Sequence, residues 1–149
     1  CGNHLKCTPY AYFGNEACDY EQHGGDSSNF VSQCLVQNGH QALRSRTCRV
    51  GPCGKEELQA SRLGKCLQKD FKWKATCVQK PEKVPEEITL GDIVVYHPTS
   101  CDDRNGIAAI FTKGGQDALI ASHSPAKWNA AYNYNLDTYP YVEFLHYTG

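Results

Sequence analysis

Two hydrophobic periods divide the chain. From Ser27 the sequence runs Ser-Ser-Asn-Phe-Val-Ser-Gln-Cys-Leu-Val-Gln-Asn-Gly, with Phe30, Val31, Cys34 and Leu35 at helical intervals. That spacing puts one apolar stripe on a buried helix of about three turns. Asp26 or Ser27 can cap its start, and Asn38-Gly39 can end it in a left-handed turn. A second, more exposed helix is expected over Lys55–Phe71, where Leu58, Leu63, Cys66 and Leu67 are set among charges. Residues 1–26, rich in Gly, Asn, Cys and Tyr, read as loop with a short helix near Tyr10–Phe13, and residues 40–54 as an irregular loop. Residues 72–89, with a tryptophan, two prolines and many charges, read as a connector.

Beyond that connector the period becomes that of strands. Asp92–Tyr96 and Ile107–Thr112 are β-branched and apolar runs. The turn Lys113-Gly-Gly-Gln116 leads into Ala118–His123 as a hairpin, and Tyr141–Tyr147 reads as a last strand. His97, next to Pro98, is expected in a loop. Helices first and strands afterwards indicate an α+β fold with the N-terminal helix packed on a C-terminal antiparallel sheet. No repeat or linker divides residues 1–149, so one domain is expected.

Composition narrows the function classes. A formal net charge of −1 argues against a nucleic-acid partner, whose phosphates call for a basic field. The cluster Arg44, Arg46 and Arg49 reads as a solvated loop. No apolar run reaches the roughly 18 residues a membrane-spanning helix needs, so membrane insertion is not expected. Nine cysteines are scattered along the chain and not grouped in the close pairs of a zinc site. No metal or other cofactor is expected. Scattered cysteines indicate disulfides and an oxidising, extracellular compartment, with Cys1 as the start of a secreted mature chain. Eight of them, Cys1, Cys7, Cys18, Cys48, Cys53, Cys66, Cys77 and Cys101, are expected to form bridges whose connectivity stays open. The odd one is expected to be Cys34, a core thiol on the first helix.

Four blocks carry a resemblance to a known family. Gly24-Gly-Asp-Ser-Ser-Asn-Phe-Val-Ser-Gln-Cys-Leu35 resembles the Asp-Cys-Thr-Asn-Phe-Val-Ser-Gln helix of the putative amidase domain family, a branch of the papain-like NlpC/P60 cell-wall hydrolases. Leu90–Tyr96 is similar to that family's Leu-x-Pro-Gly-Asp-Val-Ile-x-Tyr, and Ile107–Thr112 to its His-x-Ala-Ile-Val-Thr strand. Ser122-His-Ser-Pro125 is similar to its Gln-His-Ser/Thr-Pro, and Trp73 stands where the family often has a tryptophan. The blocks occur in the family's order over roughly residues 9–128. The resemblance implies a papain-like NlpC/P60 core. It also implies a thiol at a helix N-terminus, activated by a histidine on a facing strand and oriented through a third polar residue.

The resemblance places Ser27 at the nucleophile position, Ile107 at the base position and His123 at the third. A serine is a poor nucleophile without a base, and isoleucine accepts no proton. Loss of a general base alone typically removes about 10²–10⁴ in rate. The chain therefore reads as a degenerate member. Ser27 is also a good helix cap, and His123 also suits a structural hydrogen bond. The tyrosines at 132, 134, 139, 141 and 147, with Trp128, suit sheet packing or stacking on sugar rings.

Three functions fit. The first is a secreted pseudo-amidase that binds a glycan, a peptidoglycan fragment or another extracellular partner in a defence, toxin or lectin-like role, through Asp26, Ser27, His123 and Trp128. The second is an active cell-wall-peptide amidase using Ser27, or a natural cysteine replaced there, with His123. The third is a structural or storage protein. Oligomeric state is left open.

Overall fold

The computed structural model describes residues 27–37, 60–103, 105–122 and 126–149. Asp26, the expected cap Asn38-Gly39, Leu58, His123, and the cysteines at 1, 7, 18, 48 and 53 lie outside the described residues, as does the helix expected near Tyr10–Phe13. The described elements are helices α1 (Ser27–Gln37) and α2 (Ala60–Asp70), then strands β1 (Trp73–Gln79), β2 (Ile93–His97), β3 (Ile107–Lys113), β4 (Leu119–Ser122), β5 (Lys127–Ala131) and β6 (Tyr141–Tyr147). The strands form one antiparallel sheet in the order β1-β6-β2-β3-β4-β5, which makes the molecule α+β.

Alternation along the strands sorts side chains into two layers. On one face Ile93 and Val95 of β2, Ala108 and Ile110 of β3, Ala121 and Leu145 pack against Phe30, Val31, Cys34 and Leu35 of α1 and Ala60, Leu63, Cys66 and Leu67 of α2. On the other face Val94, Tyr96, Ala109, Phe111, Ile120, Val142 and Phe144 pack against Val84, Ile88 and Tyr132, with Tyr134 and Tyr139 at the margin. With both faces covered, β2 is buried along its whole length, which is why Ile-Val-Val-Tyr reads as a continuous apolar run. Among the described tyrosines, Tyr96, Tyr132, Tyr134 and Tyr139 do packing work. Tyr96 donates its hydroxyl to the Tyr132 carbonyl at 2.7 Å, and Tyr132 donates to the Pro81 carbonyl at 3.3 Å. Burial, and then the neighbouring Tyr134 and Tyr132, raise the Tyr96 phenol well above its ordinary range.

Three expectations need correction. Residues 73–79 are not a connector. They form edge strand β1, paired with β6 from Trp73↔Tyr147 to Gln79↔Tyr141. Trp73 and Ala75 face the helices, while Lys74 points outward, as edge strands tolerate. His97 is not in a loop: it ends β2 and is wholly buried. Helix α2 is the more exposed of the two helices, as expected: Arg62, Lys65, Gln68, Lys69 and Asp70 are exposed, while Ala60, Ser61, Leu63, Gly64, Cys66 and Leu67 are buried. Gly64 is a close contact, since a Cβ there would collide with Glu143 Oε1. Strand β5 was not expected at all: Lys127 and Trp128 follow a Ser-Pro turn signal, and Asn129 adopts φ 51°.

Cys77 on β1 is disulfide-bonded to Cys101 after β2, and Cys66 is also disulfide-bonded. Cys34 keeps its thiol in the core, where burial pushes its pKa up from 9.0 to about 11. The thiol form is thus favoured by folding: that contribution is full below pH 9.0 and is lost as pH rises toward about 11. Cys34 should therefore resist alkylation in the native protein at pH 8 and react once the chain is unfolded in urea. Rapid native labelling, followed by peptide mapping to Cys34, would contradict its place in the core.

Candidate functional site

The site begins at the first residue of α1. Phe30, Val31, Cys34 and Leu35 lie one or two helical turns apart, and their burial against β3 and β4 fixes the helix across the sheet. This brings Ser27, at the helix start, onto the first half of β3. Its hydroxyl oxygen accepts the Ala108 N–H at 3.2 Å, and the residue is only 3% exposed.

The direction of that N–H follows from the ladder. Phe111 N–H donates to the Asp92 carbonyl, and the Phe111 carbonyl accepts from Gly91 N–H, so the polar groups of Phe111 point toward the β2 side. Backbone polar groups alternate along an antiparallel strand. Those of Ala109 and Ile107 share the β2 side, and those of Ala108 and Ile110 point toward β4. The β3–β4 pairing includes Ile110↔Ala121, Phe111↔Ile120 and Lys113↔Leu119. Ala108 lies beyond that run, and Ser27 supplies the acceptor its buried N–H requires. Among the described residues, what meets the Ser27 hydroxyl is therefore a main-chain donor. An N–H cannot take the hydroxyl proton, so this contact does not activate the oxygen.

The expected site residues are distributed as follows. Ile107 belongs to the apolar layer with Tyr96, Ala109 and Phe111, so residue 108, through its backbone, is the one that touches Ser27. Trp128 lies on β5, 39% exposed, next to Lys127, whose Nζ sits 5.3 Å from the Tyr134 ring centroid. Asn129 accepts from the Thr112 hydroxyl at 2.7 Å on the same exposed corner. Asp26 and His123 lie outside the described residues.

Two polar centres were not anticipated. His97 is 0% exposed, and neither ring nitrogen has a hydrogen-bond partner among the described residues. Its Nε2 is 3.8 Å from Glu143 Oε1, too long for a hydrogen bond. His97 sits on β2, on the opposite side of β3 from the direction in which Ala108 N–H points, so it is not the partner of Ser27. The second centre is Asp92, the aspartate of the Leu90-Gly-Asp motif. Its buried carboxylate accepts Thr89 N–H at 2.9 Å and Tyr147 N–H at 3.1 Å, and lies 2.7 Å from His146 Nδ1. The motif aspartate ties the start of β2 to the end of β6. The Gly-Asp dipeptide is legible in sequence, but the partners of its aspartate are not.

Among the described residues no group of three His, Cys, Asp or Glu side chains could hold a metal ion. No described helix is long and apolar enough to cross a membrane. The family described as putative amidase domain matches residues 4–145, and the chain belongs to it. No curated protein and no solved structure matches the chain significantly.

Proposed function

We propose that this member of the amidase family is a secreted, disulfide-stapled pseudo-amidase that binds a glycan or peptidoglycan fragment without cleaving it. The observation that carries the reading is the state of Ser27, buried and with its oxygen engaged by the Ala108 N–H. A nucleophile has to present a lone pair to the substrate and lose its proton to a base. Ser27 is buried, and no base stands against its hydroxyl among the described residues. Serine at 27 and isoleucine at 107, where the NlpC/P60 pattern has cysteine and histidine, agree with lost chemistry on a retained scaffold.

The binding half of the reading rests on the β5 corner. Trp128 offers an exposed ring, and Lys127, Asn129 and Thr112 offer polar groups beside it. Sugars present apolar C–H faces edged with hydroxyls, and such a corner suits them. In this reading Asp26 and His123 contribute polar contacts at the old cleft. The Cys77–Cys101 bridge is in keeping with an extracellular location.

Co-sedimentation with insoluble peptidoglycan tests the binding role. The native protein should pellet with the polymer, and Trp128→Ala should weaken binding by roughly fivefold, the loss of about 1 kcal/mol of ring contact. A native protein that stays entirely in the supernatant would remove the binding role.

A further inference from the structure

The segment between β2 and β3 is tied down at several points. Cys101 is bonded to Cys77, the Thr99 hydroxyl donates to Asp103 Oδ2, and Asn105 N–H donates to Asp103 Oδ1 at 2.9 Å. These hydrogen bonds, Thr99 first, hold the exposed Asp103 carboxyl below its ordinary range, so it stays charged. Asn105 is exposed, and its side-chain amide makes no hydrogen bond among the described residues. The Gly106 N–H next to it makes none either.

Packing dictates that residue 106 be glycine. A Cβ there would lie 2.8 Å from the Tyr96 carbonyl oxygen and 3.4 Å from both Ala60 Cβ and His97 Nδ1. The close approach of β3 to β2 and α2 thus leaves an asparagine amide beside a main-chain nitrogen that no side chain shields.

The geometry points to the Asn105–Gly106 linkage as a site of self-modification, in which the asparagine is converted to aspartate and isoaspartate. The Gly106 nitrogen loses its proton to solvent base and bonds to Asn105 Cγ. The Cγ–Nδ2 bond breaks, and ammonia leaves carrying a proton from solvent. Water then opens the five-membered imide at either carbonyl. Opening at the α-carbonyl leaves the main chain running Cα–Cβ–Cγ to the Gly106 nitrogen, an isoaspartate with one extra methylene before Gly106; opening at the side-chain carbonyl gives aspartate. Both products place a new carboxylate beside Asp103. The isoaspartyl form also displaces the entry to β3, three residues from the Ala108 N–H that Ser27 accepts. The linkage is thus a one-way chemical clock on the strand that carries the candidate site.

The test is timed incubation of the full chain in mildly alkaline buffer, followed by peptide mapping and isoaspartyl detection. Conversion at Asn105 should outpace that at Asn129, Asn133 and Asn135, which precede the larger Ala130, Tyr134 and Leu136, by about tenfold or more. Asn105→Gln should remove the product from that peptide. Conversion at Asn105 no faster than at Asn133 would overturn the assignment.

Discussion

Replacing Asp92 with alanine is expected to lower the unfolding free energy by about 3 kcal/mol, measured as a shift in the urea midpoint at unchanged slope. The carboxylate is buried and serves three groups at once. Thr89 N–H closes the turn that contains Gly91 at φ 90°, while Tyr147 N–H and His146 belong to β6. Removing the acceptor leaves two main-chain donors unmatched at a part-buried junction, and a donor left unmatched away from water costs about 1–3 kcal/mol. It also releases the end of β6, which pairs with both β1 and β2. Asp92→Asn keeps an acceptor oxygen and should lose less. A loss under about 1 kcal/mol for Asp92→Ala, ordinary for a surface change, would show that β6 is held mainly by its ladder.

The second large effect is expected from the disulfide. Cys77 and Cys101 are 24 residues apart in sequence, and the bond joins edge strand β1 to the segment after β2. Closing a loop of that length in the unfolded chain corresponds to about 3 kcal/mol of stabilisation in the chain-entropy account. The pair Cys77→Ser and Cys101→Ser should lower stability by that amount. Most of the folded contacts should survive, because β1 remains laddered to β6 and Trp73 remains in the core. Circular dichroism of the double variant should therefore match the native protein at low temperature. A native-like midpoint in urea would mean that the bridge constrains nothing the rest of the fold does not already constrain.

Sequence reasoning reached those parts of the molecule where one physical signal dominates. Phe30, Val31, Cys34 and Leu35 form a single stripe, and α1 lies where that stripe places it. The apolar runs of β2, β3 and β6 are legible because both faces of the sheet are covered. Strand β1 escaped notice because its inward Trp73 and Ala75 alternate with Lys74 and Thr76 in a charged stretch. The two-residue alternation was present, but weaker than the charges around it. Strand β5 carries almost no signal, since exposed residues and a left-handed Asn129 interrupt it.

The site was legible as a set of residue types and not as a set of contacts. Residue 27 could be singled out from its place in a motif. That its partner would be the backbone of Ala108, 81 residues away, depends on where the β3–β4 pairing lies. The roles of Asp92 and His97 are likewise long-range. Asp92 meets β6 residues 54 and 55 positions later, and His97 lies beside Gly106 and near Glu143. No local pattern encodes such neighbours.

The loss of hydrolytic chemistry turns on whether the oxygen at the start of α1 still attacks a carbonyl. Purified muropeptides incubated with the native protein and with Ser27→Ala, then read by mass spectrometry, decide it. Intact muropeptides are expected in both reactions. Stem-peptide cleavage by the native chain that disappears in Ser27→Ala would show a working nucleophile, and would contradict that loss.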